Sequence, residues 1–93
     1  MRVGLFTPSD VKFKKSLIST VATHVDINTP ADAIKALEGL GAKQVGLFWR
    51  DNASAGHMEG NLFPVAGLKQ EHLDWVGGKG DQYQLRGLFY LKD

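Results

Sequence analysis

The tripeptide Gly-Leu-Phe occurs three times in this 93-residue chain, at residues 4–6, 46–48 and 87–89. A weaker echo, Gly60-Asn61-Leu62-Phe63, lies between the second and third copies. Each copy sits in a short apolar run bounded by polar or turn-forming residues, which is the pattern of buried strands. The copies therefore predict where the strands of a β-sheet lie. The residues between the copies do not match, so the repetition indicates recurrent strand chemistry and not a solenoid.

Side chains alternate along a strand, so the Gly and the Phe of each copy share one sheet face and the Leu lies on the other. A glycine inside a strand is costly unless a neighbour packs into the space that it leaves. We therefore expect the Gly-Phe face to receive the helix, with Gly4, Gly46 and Gly87 making room for aromatic rings or for Ile34 and Leu37.

The opposite face of the predicted sheet carries bulky apolar groups, which are Val45, Leu47, Trp49, Leu88 and Tyr90. Two interpretations of this face stay open. Segments 10–17 and 68–76 cover it, so that its rings belong to the core. Alternatively, it is an exposed patch, which would mark a surface for a partner or for a second copy of the chain.

Length and composition indicate one soluble globular domain, residues 1–93, with 43% hydrophobic and 23% charged residues. The formal charge of +1 creates no strong field toward nucleic acid or an anionic membrane. No cysteine is present, which excludes disulfides, thiolate metal ligands and cysteine nucleophiles and favours a reducing compartment. No apolar run is long enough for a signal-peptide core or a membrane span. We therefore expect a cytoplasmic protein that does not bind membranes.

The clearest helix signal covers residues 30–40. Thr29 is a suitable N-cap, Pro30 fits the first helical position, and Asp32 stands where a capping box and the helix dipole favour an acid. Gly39 and Gly41 then end the helix.

Further apolar runs predict strands at 2–7, 43–51, 57–65 and 82–91, and a short helix at 68–76. Pro64 indicates that the third of these strands ends there or lies at a sheet edge. Residues 10–28 fit a helix or a strand; we interpret them as a short helix or turn near 10–17 and a strand near 19–27. The chain thus predicts a single small α+β domain, in which one firm helix and one or two short helices pack on a mostly antiparallel sheet of four to five strands.

Motifs for catalysis or cofactor binding are absent from the sequence. His24, His57 and His72 lack the spacing of a metal site. Ser54 lies near His57, but without the sequence context of a nucleophile elbow. The stretch from Gly77 to Gly80 lacks the spacing and the following Ser or Thr of a phosphate-binding loop. We expect no catalytic residue, no cofactor and no metal, and therefore a protein that is not an enzyme.

Nucleic-acid binding is the alternative that a local pattern favours. Lys12, Lys14 and Lys15 interleave with Val11 and Phe13, which would place cations beside an aromatic ring. The near-zero net charge argues against this function, because phosphate binding depends on an excess of positive charge.

Protein association is the function that the composition favours, because the large aromatic and apolar side chains supply more apolar area than one helix can cover. The predicted contact residues are Trp49, Arg50, Trp75, Lys79, Arg86 and Tyr90. The partner is another protein or a second copy of the chain in a homodimer. Small chains without catalytic motifs are also typical of accessory proteins and inhibitors of host enzymes that phages and mobile elements encode. A domain that binds a small ligand, or an enzyme, is a further alternative.

Overall fold

The structure, a computed structural model, describes residues 1–9, 20–50, 56–78 and 85–93. Within these ranges it forms one small α+β domain, as the sequence predicts. The strands are β1 (Arg2–Pro8), β2 (Thr20–Asp26), β3 (Gln44–Arg50), β4 (His57–Pro64) and β5 (Leu85–Leu91). The helices are α1 (Pro30–Gly39) and α2 (Gln70–Gly77), and a short 3-10 turn covers Val65–Gly67. The predicted helix or turn at residues 10–17 lies outside the described residues.

The five strands form one sheet in the order β2-β1-β5-β3-β4. Strands β1 and β5 are parallel, and the other neighbours are antiparallel. This confirms the prediction of a mostly antiparallel sheet. Strand β4 lies at one edge and ends at Pro64, as expected of a residue that cannot donate to a ladder. Strand β2 forms the other edge.

The three Gly-Leu-Phe copies occupy the three inner strands and lie side by side. Leu88 of β5 is in register with Leu5 of β1 on one side and with Leu47 of β3 on the other. The repeated tripeptide therefore marks the centre of the sheet, where both faces are buried and apolar side chains are needed on each.

Helix α1 begins as its sequence predicts. The Thr29 hydroxyl accepts a hydrogen bond from the Asp32 N–H at 3.1 Å, and the Asp32 carboxylate accepts from the Thr29 N–H at 3.2 Å. This reciprocal capping box satisfies two backbone donors that a helix start otherwise leaves free. Gly41, with φ of +80°, turns the chain after the helix, in a conformation that glycine adopts without strain.

Both helices pack on the Leu face of the sheet, so the predicted placement of the helix on the Gly-Phe face is wrong. Leu5, Val45 and Leu88 share one core with Leu37 of α1 and Leu73 of α2. Helices α1 and α2 therefore cover most of the bulky face, so that Val45, Leu88 and Tyr90 belong to the core, whereas Trp49 at its end is half-buried. Segment 10–17 lies outside the described residues. The larger apolar volume of these side chains explains the choice, because burying them against helices removes more surface from water than burying glycines would.

The Gly-Phe face forms a second, smaller core of Phe6, Phe48 and Phe89, each at most 2% exposed. Strand β5 separates Phe6 from Phe48, yet their rings stack with centroids 4.3 Å apart. The Phe6 ring lies over Gly87, where an added Cβ would stand 2.5 Å from the ring. Gly4 and Gly87 make room for the Phe6 ring, as predicted, whereas Gly46 makes room for Met58 of β4.

Candidate functional site

Three of the six predicted contact residues meet at one end of the Leu face. Trp49 of β3, Trp75 of α2 and Arg86 of β5 lie there, and His57 of β4 joins them. We call this group the Trp-Arg cluster. All four side chains are half-buried, so each is packed in place while part of its surface remains in contact with solvent.

The sheet register brings Trp49 and Arg86 together. The two residues are direct partners on the antiparallel strands β3 and β5. Their alternation with Leu47 and Leu88 places both on the helix-covered face. Directly opposite residues have Cβ atoms about 4.5 to 5.5 Å apart, so the two side chains start from adjacent positions on this face.

Helix α2 supplies the third member of the cluster. The Arg86 guanidinium carbon lies 4.4 Å from the centre of the Trp75 ring, and its Nη1 donates a hydrogen bond of 2.8 Å to the Trp75 carbonyl oxygen. A cation over an indole face is attracted by the ring electrons. That carbonyl belongs to the last turn of α2, where the negative end of the helix dipole favours a cation. Arg86 therefore ties the end of α2 to the sheet.

Gly78, which follows α2, leaves space for this contact. A Cβ at this position would stand 3.3 Å from Arg86 Nη1 and 3.2 Å from the Trp75 carbonyl oxygen. Such distances are tighter than ordinary van der Waals contact. A side chain here would press on the Arg86 side chain or on its hydrogen bond.

His57 belongs to the cluster although the sequence did not indicate it. Its ring stacks on Trp49, with centroids 4.5 Å apart and planes inclined by 20°. The pairing depends on the register of β3 and β4, in which Trp49 faces His57. The polar sequence between β3 and β4 does not fix that register, and a shift of one residue would move the imidazole to the other face.

The charge of Arg86 is not balanced inside the described part of the chain. Its acceptor is the neutral Trp75 carbonyl, and no carboxylate within the described residues pairs with it. The Nε atom of Arg86 is buried and has no hydrogen-bond partner. Buried polar groups are nearly always bonded, and leaving one unbonded costs free energy. Among the described residues, the cluster therefore holds a partly desolvated cation that no carboxylate pairs with.

The other predicted contact residues are placed elsewhere. Tyr90 is 5% exposed and belongs to the main core, so it offers almost no surface to a partner. Burial also raises the pKa of the Tyr90 hydroxyl. Arg50 is exposed, but it follows Trp49 directly in β3 and so lies on the opposite sheet face. Lys79 lies outside the described residues, as do Lys12, Lys14 and Lys15 of the nucleic-acid alternative.

The rest of the described residues offer no stronger candidate for a ligand or metal site. An open depression of about 330 Å³ lies beside α2 and includes Asp74, whose carboxylate already accepts a hydrogen bond of 2.9 Å from Gln70. Among the described residues, no group of three or more His, Asp or Glu side chains could hold a metal ion. Neither α1 nor α2 is long and apolar enough to cross a membrane, and the described residues contain no other α-helix.

Comparisons with family models, with curated proteins and with solved structures found no match to this chain. The candidate site therefore depends on its own geometry and chemistry.

Proposed function

We propose that the protein is a non-catalytic binding module whose Trp-Arg cluster docks a carboxylate-bearing apolar segment of another protein. The class includes the accessory proteins and enzyme inhibitors that phages and mobile elements encode. A cytoplasmic location fits the absence of cysteine.

The observation that carries this proposal is Arg86, which lies beside two half-buried tryptophans and pairs with no carboxylate among the described residues. Tryptophan and arginine are the residue types most enriched in binding hot spots, and hot spots lie where the side chains are packed and partly desolvated before binding. Trp49 stacks on His57 and Arg86 is held by Trp75, so little side-chain freedom is lost when a partner docks.

The chemistry of Arg86 favours a carboxylate as the central contact. A guanidinium group has five N–H donors, of which one is bonded to the Trp75 carbonyl. Charge-assisted hydrogen bonds from Arg to a carboxylate are about twice as strong as neutral ones, and lower exposure strengthens them. The flanking indole rings would bury the apolar residues on either side of that acid.

Intrinsic fluorescence gives a direct assay, because Trp49 and Trp75 are the two tryptophans of the chain and both belong to the cluster. We expect a protein captured from the native cell extract and then purified to change this emission in a saturable way. Trp49→Phe and Trp75→Phe separate the two signals. A captured protein that binds without changing either signal would contradict the proposed site.

Charge variants test the role of Arg86. We expect Arg86→Gln to weaken binding at least tenfold, because truncating a charged hot spot typically costs about 2 kcal/mol or more. Arg86→Lys should recover part of the loss, since it keeps the charge but not the planar fork. Lys35→Gln is the matched control, because it removes the same charge from an exposed position on α1. Equal binding by Arg86→Gln and Lys35→Gln, with both proteins folded, would refute the proposal.

A separate assay with a labelled oligonucleotide distinguishes nucleic-acid binding. Retention of a labelled oligonucleotide at low salt, lost when Lys12, Lys14 and Lys15 are replaced together, would support that alternative instead. The protein-binding proposal expects no such retention.

A further inference from the structure

The two edges of the sheet differ in how they are protected. An edge strand presents free N–H and C=O groups that can pair with another chain, and proteins usually block such edges with prolines, bulges, lysines or irregular backbone. At the β4 edge, the register with β3 is interrupted between Val45 and Leu47, Gly60 has φ of +78°, and the strand ends at Pro64. These features limit pairing at that edge.

The β2 edge carries none of these protections. Its sequence, Thr-Val-Ala-Thr-His-Val-Asp, contains no proline, glycine or lysine, and it pairs with β1 in unbroken register over all seven residues. Within the described residues, no strand lies on its outer side. Seven extended residues present a ladder about 23 Å long on this side, and no described strand pairs with it. Ala22, Thr23 and His24 at its centre are exposed, so no described element covers them.

We propose that β2 pairs antiparallel with β2 of a second copy of this chain, with Thr23 on the twofold axis. The two sheets then join into one continuous sheet. This interface lies at the edge opposite β4 and is independent of the Trp-Arg cluster.

The sequence of β2 is self-complementary in this register. Antiparallel pairing about Thr23 sets Thr23 opposite its own copy and Ala22 opposite His24 of the partner copy. Directly opposed threonines form favourable cross-strand pairs, and like charges in that position are destabilising. The register brings neither His24 nor Asp26 opposite its own copy. Pairing about His24 instead would oppose two imidazoles.

Twofold pairing also explains why the second copy is the occupant. An isologous contact uses the same surface on both subunits, so the β2 edges of both copies are consumed and the assembly closes as a dimer. The opposite edge at β4 is protected, which prevents growth of the sheet in the other direction.

Charge substitution at Thr23 tests the proposal in solution. We expect sedimentation equilibrium from about 1 μM to about 1 mM to show a monomer–dimer equilibrium of the wild-type protein. Thr23→Lys and Thr23→Glu should each raise the dimer dissociation constant about tenfold or more, because each opposes two like charges. An equimolar mixture of the two variants should form a heterodimer, since Lys and Glu then face each other.

Two controls separate this interface from other contacts. Asn61→Lys adds the same charge to β4 and should leave dimerisation unchanged. Trp49→Ala should also leave it unchanged, although it is expected to weaken the proposed partner binding. A monomeric wild-type protein up to about 1 mM would overturn the proposal, as would dimers of Thr23→Lys as stable as wild type. Loss of the dimer in Trp49→Ala, with the fold intact, would also overturn it.

Discussion

Gly87→Ala tests the packing of the Gly-Phe face most directly. An added Cβ would stand 2.5 Å from Cε2 of Phe6 and 2.6 Å from the Gly4 carbonyl oxygen. Real Cβ atoms do not approach other atoms this closely, so the ring and the backbone of β1 must move. The substitution would therefore disturb both the Phe6–Phe48 stack and the parallel pairing of β1 with β5.

The expected cost can be estimated from its two parts. Overpacking of a well-packed core costs about 1 to 3 kcal/mol. The lower entropy of the unfolded chain returns about 0.4 to 1 kcal/mol when Gly becomes Ala. The net loss of about 1 to 2 kcal/mol is a substantial part of the free energy of unfolding, which is about 5 to 14 kcal/mol for a domain of this size.

Urea unfolding measures this loss as a lower midpoint with an unchanged slope. Gly39→Ala is the matched control, because its added Cβ would meet no side chain or distant backbone atom within 4 Å and its φ is not positive. The control should be neutral or slightly stabilising. Equal midpoints for Gly87→Ala and Gly39→Ala would refute the steric explanation.

A double mutant tests whether the Phe6 ring causes the cost of Gly87→Ala. Phe6→Leu replaces the ring that occupies the space above Gly87, so it should reduce the cost of Gly87→Ala. We expect a coupling free energy of at least about 0.5 kcal/mol between the two positions. The relief should be incomplete, because the Gly4 carbonyl oxygen remains close to the new Cβ. Strictly additive effects would show that the ring does not cause the strain.

Two further predictions concern a buried hydroxyl and a helix start. Burial raises the pKa of Tyr90 above its ordinary value of 10.0, so the contribution of the neutral hydroxyl to stability is complete below pH 10 and is lost as pH rises through the raised pKa. Urea unfolding from about pH 8 to about pH 11 should therefore show a smaller decline in the free energy of unfolding for Tyr90→Phe than for wild type. His72 accepts a hydrogen bond of 2.9 Å at Nδ1 from the Lys69 N–H and stacks on Phe63 at 4.5 Å, so His72→Ala should cost about 1 to 2 kcal/mol of unfolding free energy. His72→Gln should recover part of this, because Gln at the third helical position also accepts that bond; equal stability of the Ala and Gln variants would contradict the capping role.

The sequence predicted those parts of the fold that depend on neighbouring residues. The start of helix α1 follows from Pro30 at its first position and from the capping box of Thr29 and Asp32, which spans only four residues. The strands follow from alternation around each Gly-Leu-Phe copy, and the edge position of β4 is consistent with Pro64. Each of these features is encoded within one element, so no knowledge of the rest of the molecule is needed to predict it.

The Trp-Arg cluster could be predicted only in part. Trp49, Trp75 and Arg86 were suspected from residue type alone, since they are separated by 26 and 11 positions and no local pattern links them. Their meeting depends on the register of β3 with β5 and on where α2 crosses the sheet. Tyr90 is predicted as a contact residue by the same argument from residue type, but its position in β5 buries it in the core. His57 joined the cluster through the β3–β4 register, which the polar connection does not determine.

The sequence by itself determined which residues share a sheet face, because a period of two is a property of the extended backbone. It did not determine which face the helices cover, since that choice depends on how much apolar surface the whole fold removes from water. Only the tertiary structure set the inner strands side by side, so that Gly87 of one copy makes room for Phe6 of another to stack on Phe48 of the third. The reason is physical: face membership is local, whereas strand order, register and helix placement arise from contacts between residues far apart in the chain.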